Sequence, residues 1–483
     1  MRSLAGLAIL CVAALATVPC YGLGLALHEG KPTVQALMVS DIHFEPFWDP
    51  DKTAQLVEAS ASDWKGILSQ PDSPDREKKF DDLEQTCHTR GMDTSYPLFA
   101  ASLAAMHSNA VEVKFVTVSG DLIAHDFSCK YQALFPKAAP EQYRAFVEKT
   151  IGFVVTSLRQ MFPHVPVYAA LGNNDSDCGD YQLDADSQFL GELSEFLTAD
   201  LPQPELKVPE LQRRQAAKDF AEGGYYSAAL PLHHVRILVL DDQFMARKYT
   251  TCGQKPDPAA AQAQIAWMTK ELERARRAKE KVWVMAHIPP GVDPYSTITK
   301  SKNICEGKPP QMFLGSEAMA DAMAGYGDVI RLAIFAHTHM DEMRLLEPGK
   351  ADHGPVAVKM VPSISPIDRN NPAFTVATVD VETGVLVDDK VIAASDKEGT
   401  SWAEEYDYAK AYQEPSFSAG SVESLFAGFK ADPGAQTEAS QNYLKNYFVG
   451  DAARELKLFW PQYVCALDNR TESTFRACYC AGK

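Results

Sequence analysis

The segment Leu171-Gly172-Asn173-Asn174-Asp175 follows the short apolar run Val167-Tyr168-Ala169-Ala170. The run reads as a buried strand, and the segment as the sharp turn that ends it, crowded with side-chain oxygens. Four other apolar runs end in the same way. Residues 34–39 lead to Asp41-Ile42-His43, 115–118 to Ser119-Gly120-Asp121, 282–286 to His287, and 332–336 to His337-Thr338-His339. In an open α/β sheet, ligand sites lie beyond the carboxyl ends of the strands. Together these ends present Asp41, His43, Asp121, Asn173, His287, His337 and His339, seven oxygen and nitrogen donors. That number suffices for two metal ions sharing one carboxylate. A lone Asp-x-His or His-x-His is common by chance, whereas five such elements, each directly after an apolar run, are not. Mixed imidazole and carboxylate donors suit zinc, manganese or iron better than magnesium or calcium.

A chain of 483 residues exceeds the usual size of one compact core. Its 46% hydrophobic and 23% charged residues are those of a globular protein. The formal net charge of −18 argues against nucleic acid or an anionic membrane as the main partner, because neither is steered toward an acidic surface. A small phosphoester remains compatible, since a metal pair makes a strongly positive spot inside an acidic shell. Arg2, the apolar stretch 4–18, Pro19 and the small-x-small site Gly24-Leu25-Ala26 read as a secretory signal peptide over residues 1–26. The alternative is an uncleaved anchor, against which stand the length of the stretch and its interruption at Pro19 and Gly22. No later segment approaches a membrane span. The expected location is therefore secreted, periplasmic or otherwise extracytoplasmic. Outside the leader are Cys87, Cys129, Cys178, Cys252, Cys305, Cys465, Cys478 and Cys480, an even set expected to form disulfides whose pairing stays open. Asn469-Arg470-Thr471 and Asn174-Asp175-Ser176 match the glycosylation pattern; the second lies in the candidate site and is expected to be unmodified.

In chain order, residues 34–40, 113–118 and 167–170 read as strands, with helices over 97–108 and 141–162. Residues 44–87, rich in Pro, Asp and aromatics, read as a long rim loop, and 201–214 as a surface excursion. Residues 188–197, 259–279 and 316–324 carry helical spacing; 225–230, 235–240, 282–286 and 332–336 read as strands. Residues 343–346, 356–361, 374–379 and 385–393 read as antiparallel strands closing the unit. Beyond 397, Trp402, Tyr406, Ala409 and Tyr412 recur at helical spacing, and three of the eight cysteines fall in the last twenty residues. The expected organisation is a catalytic domain over 27–397 and a helical, disulfide-tied subdomain over 398–483. Strand–helix alternation followed by strand runs implies an α/β fold of two packed sheets with helices outside.

Asp41-Ile42-His43, Gly120-Asp121, Gly172-Asn173-Asn174-Asp175, His287 and His337-Thr338-His339 resemble the five motifs of the calcineurin-like metallophosphoesterases. Further features resemble the acid sphingomyelinase-like branch: His125 four residues after Asp121, His287-Ile288-Pro289-Pro290-Gly291, His337-Thr338-His339-Met340-Asp341-Glu342, and Pro362-Ser363-Ile364-Ser365-Pro366 leading to Asn371-Pro372. The resemblance covers roughly residues 34–393 and implies the α-β-β-α sandwich of that family. It implies that Asp41, His43, Asp121 and His339 hold one metal, and that Asp121, Asn173, His287 and His337 hold the other. Zinc is the metal that this branch implies.

A bridging carboxylate holds two divalent ions roughly 3.5–4 Å apart, and the hydroxide they generate from water attacks phosphorus in line. The family's usual Gly-Asn-His motif ends here in Asn174, which can hydrogen-bond a phosphoryl oxygen but cannot donate a proton to a leaving group. His125 aligns with a second family histidine and is the candidate proton donor; the bland reading is a loop residue beside the sheet. Asp175 is a candidate for orienting a ligand. The expected activity is hydrolysis of soluble phosphodiesters or nucleotides, because little room precedes the first strand for a lipid-binding module. The alternatives are an endopolyphosphatase-like hydrolase, since Asn at this position also resembles that group, and a catalytically silent metal-containing binding protein.

Overall fold

The computed structural model of the protein describes residues 32–199, 201, 209–301, 303–348, 353–450 and 454–481. The expected signal peptide, 1–26, lies outside the described residues. Two six-stranded sheets organise the remainder. The first contains β1 (Thr33–Val39), β2 (Val113–Val118), β3 (Val167–Ala169), β10 (Ala373–Asp380), β11 (Leu386–Ala394) and β12 (Trp402–Asp407), in the order β12-β11-β10-β1-β2-β3. The second contains β4 (Tyr226–Ala229), β5 (Val235–Val239), β6 (Lys281–Met285), β7 (Ile330–Phe335), β8 (Glu342–Leu346) and β9 (Val356–Met360), in the order β4-β5-β6-β7-β9-β8. β1, β2 and β3 run parallel, as do β5, β6, β7 and β9. The candidate donors thus lie at carboxyl ends of two parallel blocks.

Side chains alternate faces along a strand, and in the second sheet both faces are buried. Val235, Ile237, Val239, Trp283, Met285, Leu332 and Ile334 join the core shared with the first sheet. Their neighbours Leu238, Val282, Val284, Ala333 and Phe335 join a separate core with Met268, Leu272 and Ala275 of the helix Pro258–Ala278. This double burial explains why these strands read as unbroken apolar runs. Trp283, fully buried on β6, meets Phe115 of β2 edge-on at 5.6 Å and donates its indole N–H to the Gly384 carbonyl. Truncating such a side chain to Ala costs about 3–5 kcal/mol.

Three expectations need correction. The segment 44–87 is not a loop: it forms the helices Pro50–Glu58, Trp64–Leu68 and Arg76–Cys87. Asp49 caps the first through the N–H of Asp51, with Pro50 opening the helix, a start signal hidden by the surrounding charge. Phe44 and Phe47 are fully buried against Phe99, Phe153, Phe127 and Phe146. The excursion 201–214 runs into the helix Pro209–Gly223, whose charged residues disguised it. Trp402 and Tyr406 lie on β12, and only Tyr408–Tyr412 is helical. A spacing of four puts two residues on one face of a strand as well as of a helix, and pairing with β11 decides between them. The first sheet therefore continues past residue 397 to Asp407.

The disulfides join Cys87 to Cys129, Cys178 to Cys252, Cys305 to Cys480, and Cys465 to Cys478. Among the described residues, no helix is long and apolar enough to cross a membrane.

Candidate metal centre

Asp121 is the centre of the site. It follows Gly120 at the end of β2, and its carboxylate is buried. Its Oδ2 lies 3.1 Å from His287 Nε2 and 3.4 Å from His43 Nε2. On one side, His43 Nε2 faces His339 Nε2 at 3.2 Å, and His339 Nε2 lies 3.4 Å from Asp41 Oδ1. On the other, His337 Nδ1 faces His287 Nε2 at 3.3 Å. Asp41, His43 and Asp121 form one cluster of potential donors, and Asp121, His287 and His337 form another. Asn173 is buried at the adjoining turn. All seven expected donors are thus delivered to neighbouring strand ends.

The backbone explains how they get there. The ring orientations of His43 and His287 are set by Nδ1, which hydrogen-bonds the Ile123 carbonyl at 3.0 Å and the Ser119 carbonyl at 2.8 Å. Both leave Nε2 for the site. Gly172 is required, because a Cβ there would collide with the carboxylate and backbone nitrogen of Asp121. Asp175 accepts from the N–H groups of Gly172, Leu122 and Ile123 at 2.9, 2.8 and 3.1 Å, and so locks two ligand-bearing turns together.

The electrostatics suit a cation. Burial alone would raise Asp121, but His287 and His43 hold it well below the usual carboxylate range. Burial lowers His43 and His287, yet Asp121 and Asp41 outweigh it and raise them to about 9 and about 10. His337 and His339 move well down, through burial and then the charge of His287 and His43 respectively. The carboxylates therefore draw positive charge to the same place where divalent ions would sit. Asp41 Oδ1 and Asn173 Oδ1 are buried without a hydrogen-bond partner, the state expected of oxygens reserved for a ligand. The donors present fit a metal pair sharing Asp121.

Asn174 is turned inward. Its backbone N–H donates to Asp121 Oδ1 and its Nδ2 to Asp121 Oδ2, both at 2.9 Å. The side chain thus steadies the shared carboxylate. His125 stacks on His43, with centroids 3.9 Å apart, and its Nδ1 lies 3.1 Å from both oxygens of Asp93. Nε2 is 3.0 Å from the guanidinium of Arg90, which also reaches Asp368 at 3.1 Å. The disulfide Cys87–Cys129 ties together the segments that carry Arg90 and His125.

The sequence offered no signal for Asp93, Arg90 or Asp368, which come together only across loops. Asp242, just beyond β5, accepts from the N–H groups of His287 and Ile288 and fixes that turn. Burial pushes it up to about 7. His233 pairs with Glu382 on an exposed turn and does not join the centre. Asn469, 9% exposed, donates to Asp468 Oδ1.

Comparisons with known proteins identify the family. The family model described as calcineurin-like phosphoesterase matches residues 35–341. The chain is 25% identical over 478 residues to the cyclic GMP-AMP phosphodiesterase SMPDL3A of Mus musculus, with 95% of each chain covered. It is 25% identical over 471 residues to the acid sphingomyelinase-like phosphodiesterase 3b of Homo sapiens, covering 92% of this chain and 90% of that one. A sphingomyelinase phosphodiesterase C of Dictyostelium discoideum is 24% identical over 309 residues, 61% of each chain. Among solved structures, a dimetal phosphatase from Danio rerio aligns with 74% of this chain and 95% of its own, at a TM-score of 0.37 and 11% identity. The His and Asp clusters on this fold imply a dinuclear metal site. The chain belongs to the calcineurin-like phosphoesterase family as a metal-dependent phosphoesterase, and its relatives are acid sphingomyelinase-like phosphodiesterases.

Proposed function

We propose that the protein is an exported phosphodiesterase with two divalent metals, acting on soluble phosphodiesters or nucleotides. The single observation that carries this reading is Asp121, one buried carboxylate between two histidine-bearing clusters. Asp41, His43, Asp121 and His339 would hold one ion, and Asp121, Asn173, His287 and His337 the other. Zinc suits the nitrogen-rich donor set, with manganese or iron as alternatives. Such ions, when bound, polarise phosphoryl oxygens and make a water acidic enough to attack near neutral pH. Four disulfides and the signal peptide expected over 1–26 support export.

The chain's own residues do the rest. Asp93 accepts Nδ1–H from His125, and Nε2, which accepts from Arg90 in this structure, would carry the proton to the departing alkoxide once Arg90 turns to the phosphoryl group. Arg90 beside that nitrogen supplies positive charge for a phosphoryl oxygen. Asn174 keeps Asp121 in place and gives up the donor role that histidine would take there. The cyclic GMP-AMP phosphodiesterase among the relatives adds a cyclic dinucleotide to the substrates worth testing.

The test is hydrolysis by the purified mature protein with its metals counted. The substrates are bis-p-nitrophenyl phosphate, p-nitrophenyl phosphate, ATP, cyclic GMP-AMP, polyphosphate and sphingomyelin, with Asp121→Ala as control. Diester turnover lost in the control is the expected result. Preference for polyphosphate would move the assignment to an endopolyphosphatase-like enzyme, and two bound metals without turnover to a binding protein.

A further inference from the structure

The loop 177–184 touches the candidate centre from one side only. Asp180 Oδ1 accepts from Asn173 Nδ2 at 2.7 Å, which settles which end of that amide faces the site and leaves Oδ1 buried and unpartnered. Tyr181 donates its backbone N–H to the Asn173 carbonyl at 2.9 Å. The Tyr181 hydroxyl lies 3.2 Å from His337 Nε2, while His337 Nδ1 faces His287. If Nε2–H donates to that hydroxyl, the lone pair of the imidazole sits on Nδ1, directed at the site. One loop therefore sets the orientation of Asn173 and of His337, both on the same side of Asp121.

The loop is itself fastened. Cys178 is bonded to Cys252, Thr250 donates to the Tyr181 carbonyl at 3.1 Å, and Leu183 donates to the Thr250 carbonyl at 3.2 Å. Tyr181 adopts a left-handed backbone, φ 56°, and is buried. Among the described residues nothing comparable from this loop reaches Asp41, His43 or His339: Asp41 and His339 answer to the Ser363–Ser365 turn and Asp368, and His43 to the Ile123 carbonyl.

We propose that Asp180 and Tyr181 are positioning residues for one of the two metals only, the ion held by Asn173, His287 and His337. The inference rests on the two-metal reading above. Removing the Tyr181 hydroxyl or the Asp180 acceptor weakens that ion while the ion at Asp41, His43 and His339 stays bound. Losing such an orienting partner typically costs about 10–100-fold in metal affinity.

The experiment is metal titration of the apoprotein, read by calorimetry and by elemental analysis after gel filtration, for the wild type, Tyr181→Phe, Asp180→Ala and Asp180→Asn. Zinc alone is the probe. The wild type is expected to bind two ions. Tyr181→Phe and Asp180→Ala should bind one with unchanged affinity and the second about 10–100-fold more weakly. Asp180→Asn keeps an acceptor oxygen and should restore the second. Thermal melts of the apoproteins establish that each variant is folded. A wild type that binds fewer than two ions would sink the two-metal reading itself. A wild type with two ions, and variants with the same two affinities, would overturn this inference alone, as would equal weakening of both ions.

Discussion

Asp41, His43, Asp121, His337 and His339 all have positive φ, at 44°, 42°, 55°, 72° and 64°. The left-handed region costs an ordinary L residue roughly 1–2 kcal/mol, so the site stores strain at its own donors. Surrounding hydrogen bonds, such as those from Leu122 and Ile123 to Asp175, hold the backbone there. Gly172 admits Asp121 into this crowd. Gly172→Ala is expected to displace the carboxylate, lower stability by about 1–3 kcal/mol and remove bound metal; a urea titration and a metal count check it. At the other end of the reaction, His125→Ala should lower turnover of alkyl diesters by roughly 10²-fold or more and leave p-nitrophenyl esters much less affected. Equal losses on both substrates would assign His125 a binding role instead.

Elements meet through a few titratable contacts. Glu148, on the helix Pro140–Met161, faces Glu192 on the helix Gln188–Thr198, with Arg144 within 3.7 and 3.8 Å of the two. Burial, and then the Glu192 carboxylate, push Glu148 from 4.5 up to about 8, with Arg144 opposing and Asp177 adding to it. The folded protein thus holds a proton that the unfolded chain releases. The stability from this proton is complete below pH 4.5 and is lost as pH rises through about 8. Melting temperature should therefore fall over that window, and Glu148→Gln, neutral throughout, should lack this part of the fall. Comparing the melts of wild type and variant in a pH series isolates this contact from others that titrate in the same range.

Across the whole molecule, one buried lysine bridges the two sheets. Lys359 on β9 lies 2.8 Å from Asp341 and 2.7 Å from Asp389 on β11, and Tyr406 of β12 donates to Asp341 at 2.5 Å. Asp341 is two residues from His339, so the bridge also steadies a strand end of the site. Lys359→Met would strand two carboxylates in the interior, and a loss of about 3–5 kcal/mol is expected in a urea melt. The C-terminal helices reach the same region. Tyr463 donates to Glu342 at 2.9 Å, Tyr443 and Tyr463 share a hydrogen bond at 2.7 Å, and the Tyr447 carbonyl accepts from the Asp341 N–H. The tail therefore braces the His337–His339 end.

The parallel strands were legible in the sequence because double burial writes them as apolar runs, and the donors were legible because each follows such a run directly. Residues 115–118 before Asp121 and 332–336 before His337 are examples. Spacing misread 44–87 and Trp402–Tyr406, where charge hides a helix start and a four-residue interval fits both periods. Other features were decided only by tertiary structure. The pairing of the eight cysteines, the Asp93–His125 contact and the placing of Tyr181 against His337 join residues 13 to 175 positions apart in sequence. No local propensity or periodicity encodes such contacts; they follow from how two sheets and their loops close over one carboxylate.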